Sequence, residues 1–313
     1  MEGGIFEVSG TTAGLWHSSK MKYLCNLCIW ELQLFYRFNW RDIPAALLPG
    51  VAFTLVAVKH HGSTNYATAL LWSLLYFCLY IYTFNLCNQY TGVEEDKISK
   101  PDRPIPSGLV SVEGVRFRWY IVTVLYIVAG LAIGNVWSSL LWIFDTIMHS
   151  HYGWSEHWFT KNSVFIPLDV VVQGWAGWSV ATGDVWLDQE SVVFIGMAVL
   201  YACLLVNLQD FRDVEGDRKV GRKTMPVQFG MASSTYMQSF LFLLQFVIFY
   251  TVILSTQTPT LGQLVLPLID LVLRFYFIAC LLLVDRTLAD YHHTYHSFTK
   301  HYFFFVLSGL AYL

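Results

Sequence analysis

Charge is what this sequence has least of. Only 13% of its 313 residues are Asp, Glu, Lys or Arg, about half the ~25% of an ordinary soluble domain. With 55% hydrophobic residues and a mean hydropathy of +0.48, too little polar surface exists to coat a 35.9 kDa globule, which excludes a soluble globular protein. The formal net charge is only −3, so neither a disordered chain nor a nucleic-acid binder driven by bulk positive charge fits, and no nucleic-acid partner is expected. Met1 to Lys20 shows no early basic residue followed by an apolar block, so the first membrane helix is expected to serve as its own insertion signal. The six cysteines form no disulfide framework: Cys78, Cys87, Cys203 and Cys280 fall inside apolar runs, and the lone CxxC of Cys25 and Cys28 lies in the apolar stretch YLCNLCIW. Ten histidines include the groups His149, His151, His157 and His292, His293, His296, but no HExxH spacing.

What remains is a membrane protein built from recurring apolar runs. They cover 43–58, 66–87, 118–134, 136–148, 163–183, 191–208, 232–254, 264–284 and 297–313, most of them long enough to cross ~30 Å of hydrocarbon at ~1.5 Å per residue. This predicts an all-α polytopic chain with nine transmembrane helices in one domain spanning 1–313. Ahead of them, Tyr23–Arg41 mixes apolar residues with Glu31, Arg37 and Arg41, so residues 1–42 are read as an N-terminal interfacial segment. With nine spans, 17 of the 19 Lys and Arg fall on the side of the N-terminus; the positive-inside rule makes that side cytosolic. No address names an organelle, and the endoplasmic reticulum or another endomembrane is the expectation.

Two charged loops stand out on that side. In DFRDVEGDRKVGRKTMP (210–226), Asp210, Asp213 and Asp217 are spaced i, i+3, i+7 and so share one helix face. Like charges stacked there repel, which calls for a cation. Mg²⁺ suits such a face, since it takes one or two carboxylates, keeps waters and completes its shell with phosphate oxygens. Arg212, Arg218, Lys219, Arg222 and Lys223 follow at once, as the remaining phosphate charge requires. The other loop, NQYTGVEEDKISKPDRPIPSG (88–108), offers Asn88, Glu94, Glu95 and Asp96, with Lys97, Lys100 and Arg103 after them. Asn88 and Asp96 share a face if the preceding helix continues, and Pro101, Pro104 and Pro106 end it. Read alone, such loops are also what a solvated surface would show. A transporter or a structural partner protein is a further reading, with Asp270 and Arg274 as an intramembrane i, i+4 pair.

Together the two loops closely resemble the motifs of the UbiA superfamily of intramembrane prenyltransferases, N-x-x-x-D-x-x-x-D running into R-P-x-P-S-G and D-x-x-D-x-x-x-D running into K-T-x-P. The resemblance implies nine helices around a central cavity and a prenyl diphosphate substrate whose tail lies in the bilayer. It also implies Mg²⁺ held by Asn88, Asp96, Asp210, Asp213 and Asp217. Arg103 and Lys223 match basic positions near the diphosphate, and Lys97, Lys219 and Arg222 stand close by. The sequence departs from the pattern at Gly92, where the superfamily has Asp; Glu95 is the expected replacement ligand. NQxxGVEED is similar to fungal members, some of which are terpene cyclases. The expected reaction is Mg²⁺-dependent ionisation of farnesyl or geranylgeranyl diphosphate. Attack by the tail's own double bond would give a cyclic terpene; attack by an aromatic or quinone-precursor acceptor would give a prenylated product. The aromatic stripe of Trp72, Tyr76, Phe77 and Tyr80 could shield the cation or serve as helix packing.

Overall fold

The computed structural model describes residues 11–255, 260–282 and 287–313. Helices follow one another almost without interruption: α1 (Thr11–Asn39), α2 (Leu47–His60), α3 (Tyr66–Thr91), α4 (Val93–Ser99), α5 (Val112–Ala132), α6 (Val136–His151), α7 (Trp158–Thr182), α8 (Gln189–Lys219), α9 (Met225–Phe229), α10 (Met231–Ser255), α11 (Leu261–Leu282) and α12 (Leu288–Leu307), closed by a short turn of helix, Gly309–Tyr312. No strand occurs among the described residues. Each of the nine apolar runs coincides with a helix, and six of these helices (α3, α5, α7, α8, α10 and α11) have the length and composition to cross a membrane. The other three runs fall on α2, which is apolar but only 14 residues long, on α6 with 16, and on α12, whose first half is polar.

The helix ends are written in the sequence. Ser111, Asn135 and Asp188 accept hydrogen bonds from the backbone N–H groups of Gly114, Ser138 and Ser191, which caps α5, α6 and α8. Thr287 and Asp290 make a reciprocal capping box at the head of α12. Neighbours in sequence pack side by side, and α12 returns to lie against α2, which closes the bundle. Small residues let backbones approach where no hydrophobic drive separates helix from lipid. A Cβ at Gly177 of α7 would come within 3.0 Å of the Thr54 backbone nitrogen on α2.

The turn between α5 and α6 shows the same economy. Gly134 adopts φ +76°, and a Cβ there would lie 2.4 Å from the Gly183 carbonyl oxygen at the end of α7. Both the backbone region and the space exclude a side chain. Gly134→Ala is therefore expected to lower stability by at least ~1 kcal/mol, read as an earlier thermal transition in detergent; an unchanged transition would show that this turn gives way freely.

Two large cores fill the interior. One joins α3, α5, α6 and α7 around Tyr76, Tyr80, Tyr126 and Trp142; the other joins α2, α8, α10, α11 and α12 around Phe53, Tyr201, Phe242, Phe298 and Phe305. Ile166 of α7 packs against both. Some buried hydroxyls pair with one another: Tyr76 shares its OH with Ser138, Ser139 and Tyr126. Asp270 and Arg274 of α11 are buried and joined at 3.0 Å, and His301 of α12 holds the other carboxylate oxygen at 2.5 Å. Arg274 also donates to the Phe242 carbonyl at 2.7 Å, and Tyr201 to or from His301 at 2.6 Å. These groups are tied mainly to one another, which is the arrangement of a structural clasp.

Candidate active site

The first charged loop does not extend α3 in the way its spacing suggests. The helix stops at Thr91, turns at Gly92 and restarts as α4, so Asn88 and Asp96 are not on one continuous helical face. A Cβ at Gly92 would meet the Asn88 carbonyl oxygen at 3.0 Å. An aspartate here would have to push that carbonyl aside, which gives the missing carboxylate a local steric reason. The new helix turns its three acids different ways. Asp96 is buried and takes both NH1 bonds of Arg103, at 2.7 and 2.8 Å; burial pushes its carboxyl above the usual range and Arg103 opposes this. Glu95 points to the second loop. Glu94 faces outward and pairs with the exposed Lys97 at 2.7 Å, so Lys97 stands away from the other site residues. Lys100, which the sequence reading did not single out as a ligand, is sunk among them: burial and the neighbouring Arg103 lower its ammonium pKa, while Asp213, Asp96 and Glu95 raise it.

The second loop belongs to the cytoplasm-proximal end of α8 in the expected topology. Here α8 tightens into a 3₁₀ turn, Val206–Gln209, before presenting Asp210, Asp213 and Asp217. Opposite it, α7 loosens into a π turn, Lys161–Phe165. Such irregular turns re-aim side chains, and these two meet. Asn162 donates to Asn207 and to Asp210, both at 2.8 Å, and Lys161 pairs with Asp210 at 2.5 Å. Asp210 is fully buried. Asp213 is half-buried, 3.4 Å from Arg212, whose guanidinium lies 4.0 Å over the Tyr295 ring. Asp217 is buried, and its Oδ2 has no hydrogen-bond partner among the described residues.

Arg222 joins the halves. It forks onto Glu95 at 2.8 and 2.6 Å and reaches Asp217 at 3.6 Å, linking residues 127 positions apart in sequence. Its loop is pinned from behind, where the Lys223 N–H donates to Glu156 and the Lys223 carbonyl accepts from Trp158. That leaves the Lys219 and Lys223 side chains exposed. Asn88 is half-buried at the foot of the first motif, and none of its side-chain hydrogen bonds falls among the described residues.

The residues thus assemble as Glu95, Asp96, Asp210, Asp213 and Asp217 interleaved with Lys100, Arg103, Lys161, Arg212 and Arg222. The carboxylates are held apart by bases instead of pointing at one another. Hard oxygen donors with an unpaired buried oxygen at Asp217 fit a divalent cation of the Mg²⁺ type, and the bases fit an anion. Lys161 and Asn162 were missed from the sequence; the available signal was that Lys161 is the single base of the loop between residues 149 and 162.

Inward of this ring the walls become aromatic. Tyr80 stacks on Trp142 at 4.1 Å with planes 12° apart, and Phe84 and Phe165 continue the surface. Tyr76 and Phe77 are buried with them, but Trp72 is exposed and belongs to the outer face. At the opposite end of α2 a separate polar group forms: His60 meets Asp188 at 2.8 Å beside His61. Asp188 is committed there to the α8 cap.

The chain is similar to known proteins in sequence and in fold. A sequence model of the UbiA prenyltransferase family matches residues 46–301. The diterpene cyclase eriG of Hericium erinaceus is 35% identical over 218 residues, 67% of this chain and 68% of that protein. The polyprenyl transferase eriF of the same fungus is 33% identical over 219 residues, 67% of this chain and 73% of that one. In fold, a UbiA homologue from Archaeoglobus fulgidus solved with geranyl diphosphate (GPP) and Mg²⁺ superposes with a TM-score of 0.63 at 16% identity, covering 88% of this chain and 99% of its own.

Proposed function

The chain belongs to the UbiA prenyltransferase family, and from that premise we propose that it ionises farnesyl or geranylgeranyl diphosphate inside the membrane and cyclises the tail to a terpene. The observation that carries this reading is the Glu95–Arg222–Asp217 bridge. It draws both acidic motifs, with their bases, to one mouth above an aromatic interior.

Asn88, Glu95, Asp96, Asp210, Asp213 and Asp217 are the residues that would hold Mg²⁺. When bound, Mg²⁺ supplies the positive charge that makes diphosphate a good leaving group. The protein's own part is preorganised. Arg103, Arg222 and Lys161 are already held at the mouth by carboxylates, and Lys100 lies among them, so little side-chain freedom is lost when phosphate oxygens bind. Lys223, Lys97 and Lys219, more exposed, would serve approach more than contact. Once the C1–O bond breaks, the allylic cation is left toward an interior rich in aromatic rings, where a ring face is worth ~0.5–2 kcal/mol to a cation. The buried aromatic walls exclude the water that would otherwise capture it. The concentration of Lys and Arg on one side supports a cytosolic mouth, and an endomembrane such as the endoplasmic reticulum fits it.

Prenyl transfer to an aromatic acceptor is the second reading, favoured by the similarity to eriF. The test is direct. Purified protein in lipid nanodiscs is given farnesyl or geranylgeranyl diphosphate with Mg²⁺ and no acceptor. Cyclic hydrocarbon with matching diphosphate release is expected. Turnover seen only after an aromatic acceptor is added would replace cyclisation by transfer, and no turnover with either would overturn both.

A further inference from the structure

The interior holds a carboxylate that neither motif accounts for. Asp169 lies in the membrane-spanning part of α7, seven residues beyond Asn162. Positions 162, 166, 169 and 173 follow one another along one helix face. Asn162 bonds Asp210 at the mouth, and Ile166 touches both large cores. Asp169 therefore sits roughly 10 Å deeper than the mouth at ~1.5 Å per residue, on the face that looks between the two cores.

Its neighbours fix its aspect. Gln173 donates to Asp169 Oδ1 at 2.8 Å and lies 3.4 Å from the Tyr80 hydroxyl. The carboxylate also acts electrostatically on Tyr302 of α12. Tyr80, Gln173 and Tyr302 are all buried, on three different helices, yet Asp169 itself is only half-buried. Tyr302 of α12 and, through Gln173, Tyr80 of α3 set the half-buried carboxylate on the inner side of α7, toward the space between the two cores. Its Oδ2 has no hydrogen bond among the described residues. A carboxylate at membrane depth is costly, and this one, unlike Asp270, has no cationic partner to justify it.

Resting on the cyclisation reading above, we propose that Asp169 is the base that ends the reaction. The balance is as follows. The C1–O bond breaks and diphosphate leaves with its electron pair. A tail double bond gives its π pair to C1, forming the ring bond and leaving the positive charge on a more substituted carbon. A C–H bond beside that carbon then breaks; its electron pair becomes the new double bond and its proton passes to Asp169 Oδ2. The neutral hydrocarbon departs into lipid, and the proton returns to water entering at the mouth. Gln173 orients the acceptor by holding Oδ1, and is itself braced by the Tyr80 hydroxyl at 3.4 Å.

The decisive variant is Asp169→Asn, nearly isosteric and unable to accept the proton. Mg²⁺-dependent diphosphate release should stay near the wild-type rate, because the mouth is untouched. The wild-type olefin should fall by at least about tenfold, replaced by a terpene alcohol or by olefin isomers formed by deprotonation elsewhere. Asp169→Glu should recover olefin, with an altered isomer ratio because the carboxylate is displaced. The same olefin in the same yield from the Asn variant overturns the proposal. So does parallel loss of diphosphate release and product in an Asn variant that melts like wild type, since that places Asp169 in ionisation. If the Asn variant does not fold, the Glu variant decides: an unchanged isomer ratio overturns the assignment. Failure of the wild-type chain to release diphosphate would instead remove the function proposed above, an outcome visible before any variant is made.

Discussion

Asp217→Ala should lower Mg²⁺-dependent diphosphate release by at least about a hundredfold (~2.7 kcal/mol), while leaving the metal-free protein as stable as wild type or more so. The two effects have one cause. Asp217 is buried with Oδ2 unpaired, and an orphaned buried polar atom costs ~1–3 kcal/mol in the fold. Its Oδ1 has a 3.6 Å approach from Arg222, with electrostatic support from Lys161 and the Thr224 side chain, and Arg222 keeps its fork on Glu95 when Asp217 is gone. Removing the carboxyl thus relieves the resting protein and deprives the leaving group of a ligand to its cation. Diphosphate release and thermal unfolding in detergent, both on the same preparation, check it. Full activity in the alanine variant would dismiss Asp217 as a ligand; a large loss of stability would show that it holds the fold.

The second large effect concerns stability alone. Arg274→Leu is expected to destabilise the protein by about 3–5 kcal/mol, read as a much lower thermal transition in detergent. The change strips Asp270 of its fully buried partner and the Phe242 carbonyl of its donor. His301 remains on the other oxygen of Asp270, so the loss should sit toward the lower end of that range. The paired replacement Asp270→Leu with Arg274→Leu removes both charges and should recover a good part of the loss. An Arg274→Leu protein with an unchanged transition would mean that the clasp is energetically idle. Neither variant should alter the identity of the product, because the clasp, which ties α11 and α12 to Phe242 of α10 and Tyr201 of α8, reaches no motif residue.

How much of this was open to sequence reading depends on the range of the interaction. The spans could be found because hydrocarbon imposes a local rule: every residue in a run must be apolar enough by itself. Each run did become a helix, although α2, α6 and α12 show that a helix can be placed correctly while falling short of a span by length or polarity. The motifs could be found because Asp210, Asp213 and Asp217 lie within two turns of one helix. The Asp270–Arg274 pair could be found for the same reason, being i, i+4.

Other features had no local signature. Continuity of α3 through Asn88 and Asp96 was a reasonable expectation from spacing, and Gly92 broke it because the chain turns there to bury Asp96 against Arg103. The role of Lys161 depends on a π turn in α7 meeting a 3₁₀ turn in α8. Lys97 looked equivalent to Lys100 by charge and proximity, yet one faces out to Glu94 and the other lies among the acids. On a continuing helix Lys97 and Lys100, i and i+3, would share a face; they part company because α4 ends at Ser99 and Lys100 leaves the helix at φ −143°, ψ 59°.

Composition and short spacing were enough to place the chain in a membrane, to gather its charge at two loops, and to give those loops oxygen donors and bases suited to a Mg²⁺–diphosphate complex. These are properties of composition and short spacing, which any fold of the chain would retain. Packing in three dimensions set which acid meets which base, that Glu95 and Asp217 share Arg222, and that Asp169 stays half-buried within α7. Those outcomes arise from closing α12 back onto α2 and packing distorted turns of α7 and α8 together. A buried charge must find its partner in three dimensions, and that partner can be 127 residues away.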